Sequence, residues 1–303
     1  MPTMLVEDMA LSLESGRTLA LVGESGCGKS MTALALLGLL PPPLRVLGGS
    51  ALLDGQDILA MTQDGLRRVR GRQIGLILQE PMTALNPAFT IADQIIEAIT
   101  AHRSVSRHVA LDQAGTLLAR MRIPDPQRVL GEYPHRLSGG MRQRVVIAIA
   151  MAGKPGALFA DEPTTALDVT VQAQILALLR ELQQDAGLAL LLITHNLGVV
   201  AQSAHRVAVM YAGRLVEEGP TAEIFAHPAH PYTRGLLAAT PRPGRRMLPV
   251  PIPGTVPAPG SLRWRGCAFA ARCPAVLDAC RDAPPPLAVV GTGHRAACIR
   301  AIA

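Results

Sequence analysis

The chain has 303 residues, enough for one large domain or two ordinary ones. Hydrophobic residues make up 49% and charged residues 17%, which excludes a disordered chain; aromatics are only 3%, so the core is expected to be built from Ala, Leu, Val and Ile. The formal net charge of +6 is uneven, with +8 from Arg234 onward and −2 before it, and only Lys29 and Lys154 are lysines against 27 arginines.

Taken in chain order, the N-terminus carries Glu7 and Asp8 and lacks a basic-then-apolar leader. Thr18–Val22 predicts a short buried strand. Gly28–Leu40 predicts a helix stopped by Pro41–Pro43, through which no helix continues. Gln73–Leu78, Ala157–Ala160, Ala189–Thr194 and Arg206–Met210 predict further strands, the α/β pattern. From about Pro81 to Gly153 the pattern is mostly helical, which predicts an inserted subdomain. Val171, Ile175, Leu178, Leu179 and Leu182 follow helical spacing, with Asp168 as N-cap and Gly187 as terminator. No apolar run reaches the roughly 18 residues of a membrane span, and the chain reads as soluble and intracellular. After Gly219 the composition shifts: 14 of the 25 prolines and four of the five cysteines lie in the last 84 residues. This predicts one domain over 1–219, with the helical subdomain at about 81–153 inserted in it, and a loop-rich extension over 220–303 joined through a Pro-rich stretch near 241–260.

Gly23, Glu24, Ser25, Gly26, Cys27, Gly28, Lys29 and Ser30 fit G-x-x-x-x-G-K-[ST] without a mismatch, between a predicted strand and a predicted helix. Glycines let successive N–H groups surround phosphate oxygens, and the helix N-terminus adds partial positive charge. Lys29 can reach the β- and γ-phosphates and Ser30 can ligate Mg²⁺. Cys27 occupies an unconstrained position and reads as a small filler. The apolar strand Ala157–Ala160 ends in Asp161 and Glu162. Asp161 suits Mg²⁺ binding, and Glu162 suits the base that orients or deprotonates the attacking water.

Leu137-Ser138-Gly139-Gly140-Met141-Arg142-Gln143-Arg144 is similar to the LSGGQ-like hallmark of ABC transporter ATP-binding subunits. Physically, Ser138 can cap a helix whose N–H groups accept a phosphate. The resemblance implies that Ser138, Gly139 and Gly140 contact ATP held by a facing subunit. Gln79 opens a segment that resembles the family's Q-loop, where a glutamine touches Mg²⁺ and water. Ala166-Leu167-Asp168 resembles the D-loop, and His195 the switch histidine at the γ-phosphate. Gln79–Pro87, Ala160–Gln172 and the His-Pro-Tyr segment at His227–Thr233 resemble the oligopeptide/dipeptide importer ATPases. Nickel and other small-solute importers share much of this text. Two departures from the family stand out. The 22 residues before Gly23 hold no aromatic to stack on adenine, so either the true start lies further upstream or adenine is held without that platform. Asn196 follows His195 where Asp is usual.

Cys267, Cys273, Cys280 and Cys298 cluster in the basic extension. In a reducing compartment four clustered thiols suggest metal more than disulfides. Their spacings match neither paired zinc motifs nor the ferredoxin run. Similar cysteines in some peptide-importer ATPases imply a [4Fe–4S] cluster, with zinc or free buried thiols as alternatives. Arg263, Arg265, Arg272 and Arg281 lie nearby and are expected to offset thiolate charge.

The expected fold is α/β: a P-loop NTPase core of the ABC ATPase type, with a mixed sheet, an inserted helical subdomain and a Cys/Pro-rich C-terminal extension. The function implied by the resemblance is ATP hydrolysis that powers peptide import. The implied partners are a second ATPase subunit (a paralogue or the same chain), two transmembrane permease subunits and an extracytoplasmic solute-binding protein, at the cytoplasmic face of the membrane. Two other readings are a nucleic-acid-associated ABC ATPase and a regulatory, non-hydrolysing nucleotide-binding protein. The 58 residues between Gln79 and Ser138 leave little room for the long insertions of the first. Glu162 and His195 argue against the second.

Overall fold

In this computed structural model the described residues are 3–241, 250–257 and 266–302. In chain order the strands are β1 (Thr18–Val22), β2 (Leu52–Leu53), β3 (Gln56–Asp57), β4 (Ile74–Ile77), β5 (Ala157–Asp161), β6 (Ala189–Ile193), β7 (Arg206–Tyr211), β8 (Arg214–Pro220), β9 (Ala288–Gly291) and β10 (His294–Ala296). The α-helices are α1 (Lys29–Leu36), α2 (Gln63–Val69), α3 (Pro81–Ala84), α4 (Ile91–Thr100), α5 (Arg107–Arg120), α6 (Pro126–Leu130), α7 (Gly139–Met151), α8 (Val169–Ala186), α9 (Leu197–Ser203), α10 (Thr221–Ala226), α11 (Pro231–Ala239) and α12 (Ile299–Ile302). The α/β fold expected from the sequence is present. None of the described helices is long and apolar enough to cross a membrane.

The chain divides into two compact units, with boundaries inside α1 and β6. One comprises residues 14–17 and 33–191, the other 1–13, 18–32 and 192–303. In the first unit, β4 and β5 pair in parallel, with Ile77 opposite Ala160, and β6 follows β5 in the sheet. Every residue of β5 and of β6 is buried, the unbroken apolar signature of strands covered on both faces. Helices α3 to α7 occupy residues 81–151. Helix α1 is shorter than the sequence predicts. It stops before the prolines because Gly38 adopts φ +60°, letting Leu39 N–H bond back to Leu34 O and Gly38 N–H to Ala35 O. Helix α8 is capped as expected: the Asp168 carboxylate accepts Val171 N–H at 2.9 Å, and Gly187 takes φ +61° at its end.

In the second unit, β1 pairs in parallel with β7, and β7, β8, β10 and β9 continue antiparallel in that order. The C-terminal extension is therefore more regular than its composition suggests, because β10 and β9 extend the same sheet. Its apolar anchors are aromatic. Tyr211 meets Tyr232 and Phe269 edge-on, with ring centroids 4.6 and 5.2 Å apart. These three side chains join Val22, Val207, Val209 and Leu237 in one buried core.

A buried carboxylate fixes the extension further. Glu217 on β8 is fully buried and accepts from Ala229 N–H (2.6 Å), His230 N–H (2.9 Å) and the His294 ring (2.7 Å). Its neighbour Glu218 pairs with Arg206 and Arg295. Such a carboxylate is stable only while its donors stay in place, and removing it strands buried N–H groups. Glu217→Ala is therefore expected to lower stability by about 3 kcal/mol, read as a lower urea midpoint of the full chain.

Candidate nucleotide site

The turn from β1 into α1 is set by sterics. Gly23 has φ +155°, and a Cβ there would fall 2.1 Å from the Met210 carbonyl oxygen on β7. Gly28 has φ +105°, and its Cβ would meet Val6 and Met210 side chains below 3.0 Å. Lys29, at the start of α1, is 7% exposed; its Nζ donates to Gly23 O (2.9 Å) and Glu24 O (3.1 Å). Thr32 Oγ1 donates to Gly28 O at 3.0 Å, closing the first helical turn. Cys27 is buried, and burial pushes its thiol pKa up, which agrees with a filler rather than a nucleophile. Ser30 is half-buried and Ser25 and Gly26 are exposed.

At the same edge of this unit, Thr194 N–H donates to Leu21 O at 3.2 Å, which sets the end of β6 beside the end of β1. His195 follows and is exposed. Asn196 caps α9, its side-chain oxygen accepting from Gly198 N–H (2.9 Å) and Val199 N–H (3.3 Å). Capping is work that Asn and Asp do about equally well, so this departure from the family pattern has a physical account.

The other unit holds Gln79, Ser138, Gly139, Gly140, Asp161 and Glu162. The parallel register of β4 and β5 puts Gln79, which is exposed, and Asp161 and Glu162, which are buried, at the same strand ends. Glu162 has φ +49°, and Thr165 Oγ1 donates to its carboxylate at 2.9 Å. Ser138 caps α7, its Oγ accepting Met141 N–H at 3.3 Å. No acidic side chain occupies the first turn of α7, so its positive end is not offset there. Gly140 is required sterically, since a Cβ would fall 2.7 Å from Val171 Cγ1 on α8, while Gly139 has ordinary clearance, 3.5 Å from Leu167.

Cys267, Cys273, Cys280 and Cys298 line one cavity together with His230 and Phe269. Burial, with smaller contributions from the neighbouring cysteines, raises the thiol pKa of Cys267 and Cys273. His230 is driven down to about 4 by burial and, secondarily, by Arg234, so its ring is neutral. Among the described residues, no three His, Cys, Asp or Glu side chains are arranged as they stand to hold a metal ion. Arg263 and Arg265 lie outside the described residues. Arg281 pairs with Asp278. Arg272, expected to offset thiolate charge, instead makes a two-pronged ion pair with Glu24 in the loop Gly23–Ser30.

That pairing, and the Tyr232 hydroxyl that accepts Glu24 N–H at 2.9 Å, had no local sequence signal. Two glycines of the loop separate steric exclusion from conformational cost. Gly23→Ala, which collides with backbone, is expected to cost about 3 kcal/mol. Gly26→Ala has φ +82° but no atom within 4 Å of the new Cβ, and should cost only about 1 kcal/mol. Urea denaturation of the two variants measures both.

Sequence and fold comparisons agree on the relationship. The family description "ABC transporter" matches residues 6–165, and "Oligopeptide/dipeptide transporter, C-terminal region" matches residues 216–280. A putative peptide import ATP-binding protein of Brucella melitensis is 51% identical over 97% of this chain and 91% of its own length. The dipeptide transport ATP-binding protein DppD of Bacillus subtilis is 46% identical over 97% of this chain and 88% of its own length. Among solved structures, a dimeric post-hydrolysis ATP-binding cassette, MJ0796, bound to ADP and Pi, superposes with a TM-score of 0.64 at 26% identity, covering 72% of this chain and 90% of that one. The chain belongs to the ABC transporter family, as an ATP-binding protein that carries the oligopeptide/dipeptide transporter C-terminal region.

Proposed function

We propose that this chain is the ATP-hydrolysing subunit that powers import of dipeptides or oligopeptides through a membrane transporter. The observation that carries the reading is the pairing, in one chain, of an intact phosphate loop at Gly23–Ser30 with a serine-capped, acid-free helix start at Ser138–Gly140. The relatives named as peptide and dipeptide ATP-binding proteins supply the cargo class.

In this account the loop N–H groups and Lys29 bind the β- and γ-phosphates. Lys29 exchanges its bonds to the Gly23 and Glu24 carbonyls for phosphate oxygens. Ser30, Gln79 and Asp161 would hold Mg²⁺, which would supply positive charge to offset that of the phosphates. Glu162, oriented by Thr165, takes the proton of the attacking water, and His195 contacts the γ-phosphate. Ser138, Gly139 and Gly140 meet ATP held by a second ATPase subunit, a paralogue or another copy. The dimeric MJ0796 cassette bound to ADP and Pi supports two-subunit use. Closure of that pair on ATP is favoured by the differential affinity of the closed state for nucleotide. Two permease subunits take up the motion at the cytoplasmic face of the membrane, where the chain sits peripherally, and an extracytoplasmic binding protein delivers the peptide. Residues 1–219 form the ATPase domain in this scheme, with the helical insertion at about 81–153, and 220–303 the importer-type extension.

As they stand no three of these side chains are arranged to hold a metal ion, but Cys267, Cys273, Cys280 and Cys298 line one cavity, and thiols are the donors a metal centre of this kind uses. Cys267, Cys273, Cys280 and Cys298 would hold a [4Fe–4S] cluster, or zinc, as a structural tie for the extension. Iron, zinc and acid-labile sulfide assays on anaerobically purified protein are expected to find iron and sulfide with visible absorption, lost in Cys273→Ser. Stoichiometric zinc in a colourless protein would select the alternative, and metal-free thiols would remove the centre.

Hydrolysis is tested at Glu162. Glu162→Gln is expected to keep ATP binding while turnover by the assembled transporter falls at least about 100-fold. Near-normal turnover would remove Glu162 as the base.

A further inference from the structure

The segment that carries the cysteines also grips the phosphate loop. Arg272 ends a short 3-10 turn, Ala270–Arg272, placed between Cys267 and Cys273. Its Nη1 donates to Glu24 Oε2 at 2.8 Å and its Nη2 to Glu24 Oε1 at 3.0 Å, the parallel fork of an arginine–carboxylate pair. The remaining donors are also engaged: Nε with Pro253 O at 2.8 Å, Nη2 with Ile252 O at 3.4 Å, and Nη1 with the Tyr211 hydroxyl at 3.4 Å. The guanidinium carbon lies 5.7 Å from the Tyr211 ring centre and 5.9 Å from that of Phe269. The Arg272 side chain is 6% exposed and that of Glu24 30%.

Most of the ion pairs among the described residues join exposed side chains and contribute little. This one differs in three respects. It is two-pronged, its cation is buried, and its anion is the second residue of the loop Gly23–Ser30. Glu24 is held twice, since its backbone N–H also donates to the Tyr232 hydroxyl. The consequence for an anionic ligand follows from charge and geometry. An unpaired Glu24 carboxylate would set a negative charge on the loop that receives a triphosphate. A loop with no hold on Glu24 would also have to be ordered by the ligand, at the ligand's expense.

We propose that Arg272 is a positioning residue for nucleotide binding: by fixing and neutralising Glu24 it presets the phosphate loop, and so makes ATP affinity depend on the C-terminal extension. The inference rests on the reading that Gly23–Ser30 receives the triphosphate. Its site of action is distinct from the hydrolytic chemistry assigned to Glu162, so affinity and turnover should separate.

The test is an affinity cycle in the assembled transporter, with ATP KM and kcat from steady-state hydrolysis and ATP Kd from equilibrium binding. Arg272→Met keeps the apolar stem against Tyr211 and Phe269 but removes the charge. It is expected to raise Kd and KM about tenfold with kcat nearly unchanged. Arg272→Lys should recover part of the loss, because a lysine supplies charge without the fork. Glu24→Gln combined with Arg272→Met should recover most of it, since no bare carboxylate is left on the loop. Wild-type affinity in Arg272→Met would overturn the proposal. So would an equal loss in the double variant, which would reduce Arg272 to a packing role. If Arg272→Met does not fold, Arg272→Gln against Glu24→Gln/Arg272→Gln makes the same comparison. Failure of the wild-type protein to bind ATP would instead overturn the underlying nucleotide reading.

Discussion

The backbone path out of β1 is the constraint on which the remaining geometry depends. Gly23 passes so close to the Met210 carbonyl that no side chain fits between them. That contact forces the chain to turn where β1 ends, and it delivers Lys29 to the first position of α1 with its ammonium folded onto the loop carbonyls. The charge of Lys29 is thereby kept almost out of water yet held by two carbonyl oxygens, with Cys27 Sγ at 3.8 Å, as a buried cation needs partners. Met210 belongs to β7, a strand whose own residues are nearly all buried, so the surface against which the loop is pressed is itself rigid.

The same unit shows why the extension is part of the fold and not an addition to it. The sequence has only eight aromatic side chains, and three of them, Tyr211, Tyr232 and Phe269, meet in one core. Two of those three come from the extension. Glu217 and Glu218, adjacent on β8, then spend buried carboxylates on backbone and side chains of the extension, through His230, His294 and Arg295. Groups of this kind contribute less to raw stability than to a single arrangement, because any slip leaves charge without partners. Arg272 and Tyr232 carry that fixity to Glu24 in the phosphate loop.

Much of this was legible in the residues. The buried strands announced themselves as unbroken apolar runs, and the caps Ser138 and Asp168 announced helix starts by residue type and position. The loop Gly23–Ser30 was legible as a motif because its glycines stand at fixed offsets from one lysine, between a strand and a helix. The end of α1 was misplaced because the apolar pattern continues to Leu40 and the prolines offered an obvious stop, whereas Gly38 ends the helix earlier by its positive φ. Strands β9 and β10 were missed because they are three or four residues long, and β9 alternates half-buried with exposed residues. Such strands are stabilised by the edge they join, not by their own composition. The pairing of Arg272 with Glu24 spans 248 positions, and no local pattern encodes it. The clustering of the four cysteines was visible, but their convergence on one cavity is a product of the fold.

The account is tested most directly by an experimental structure of the ATP- and Mg²⁺-loaded protein with its partner subunits. It predicts the β- and γ-phosphates within hydrogen-bonding distance of the N–H groups of residues 24–29, and Lys29 Nζ moved from the Gly23 and Glu24 carbonyls onto phosphate oxygens. The Ser138 cap should approach nucleotide held by another subunit. A triphosphate bound elsewhere, with Lys29 still on those two carbonyls, would contradict it.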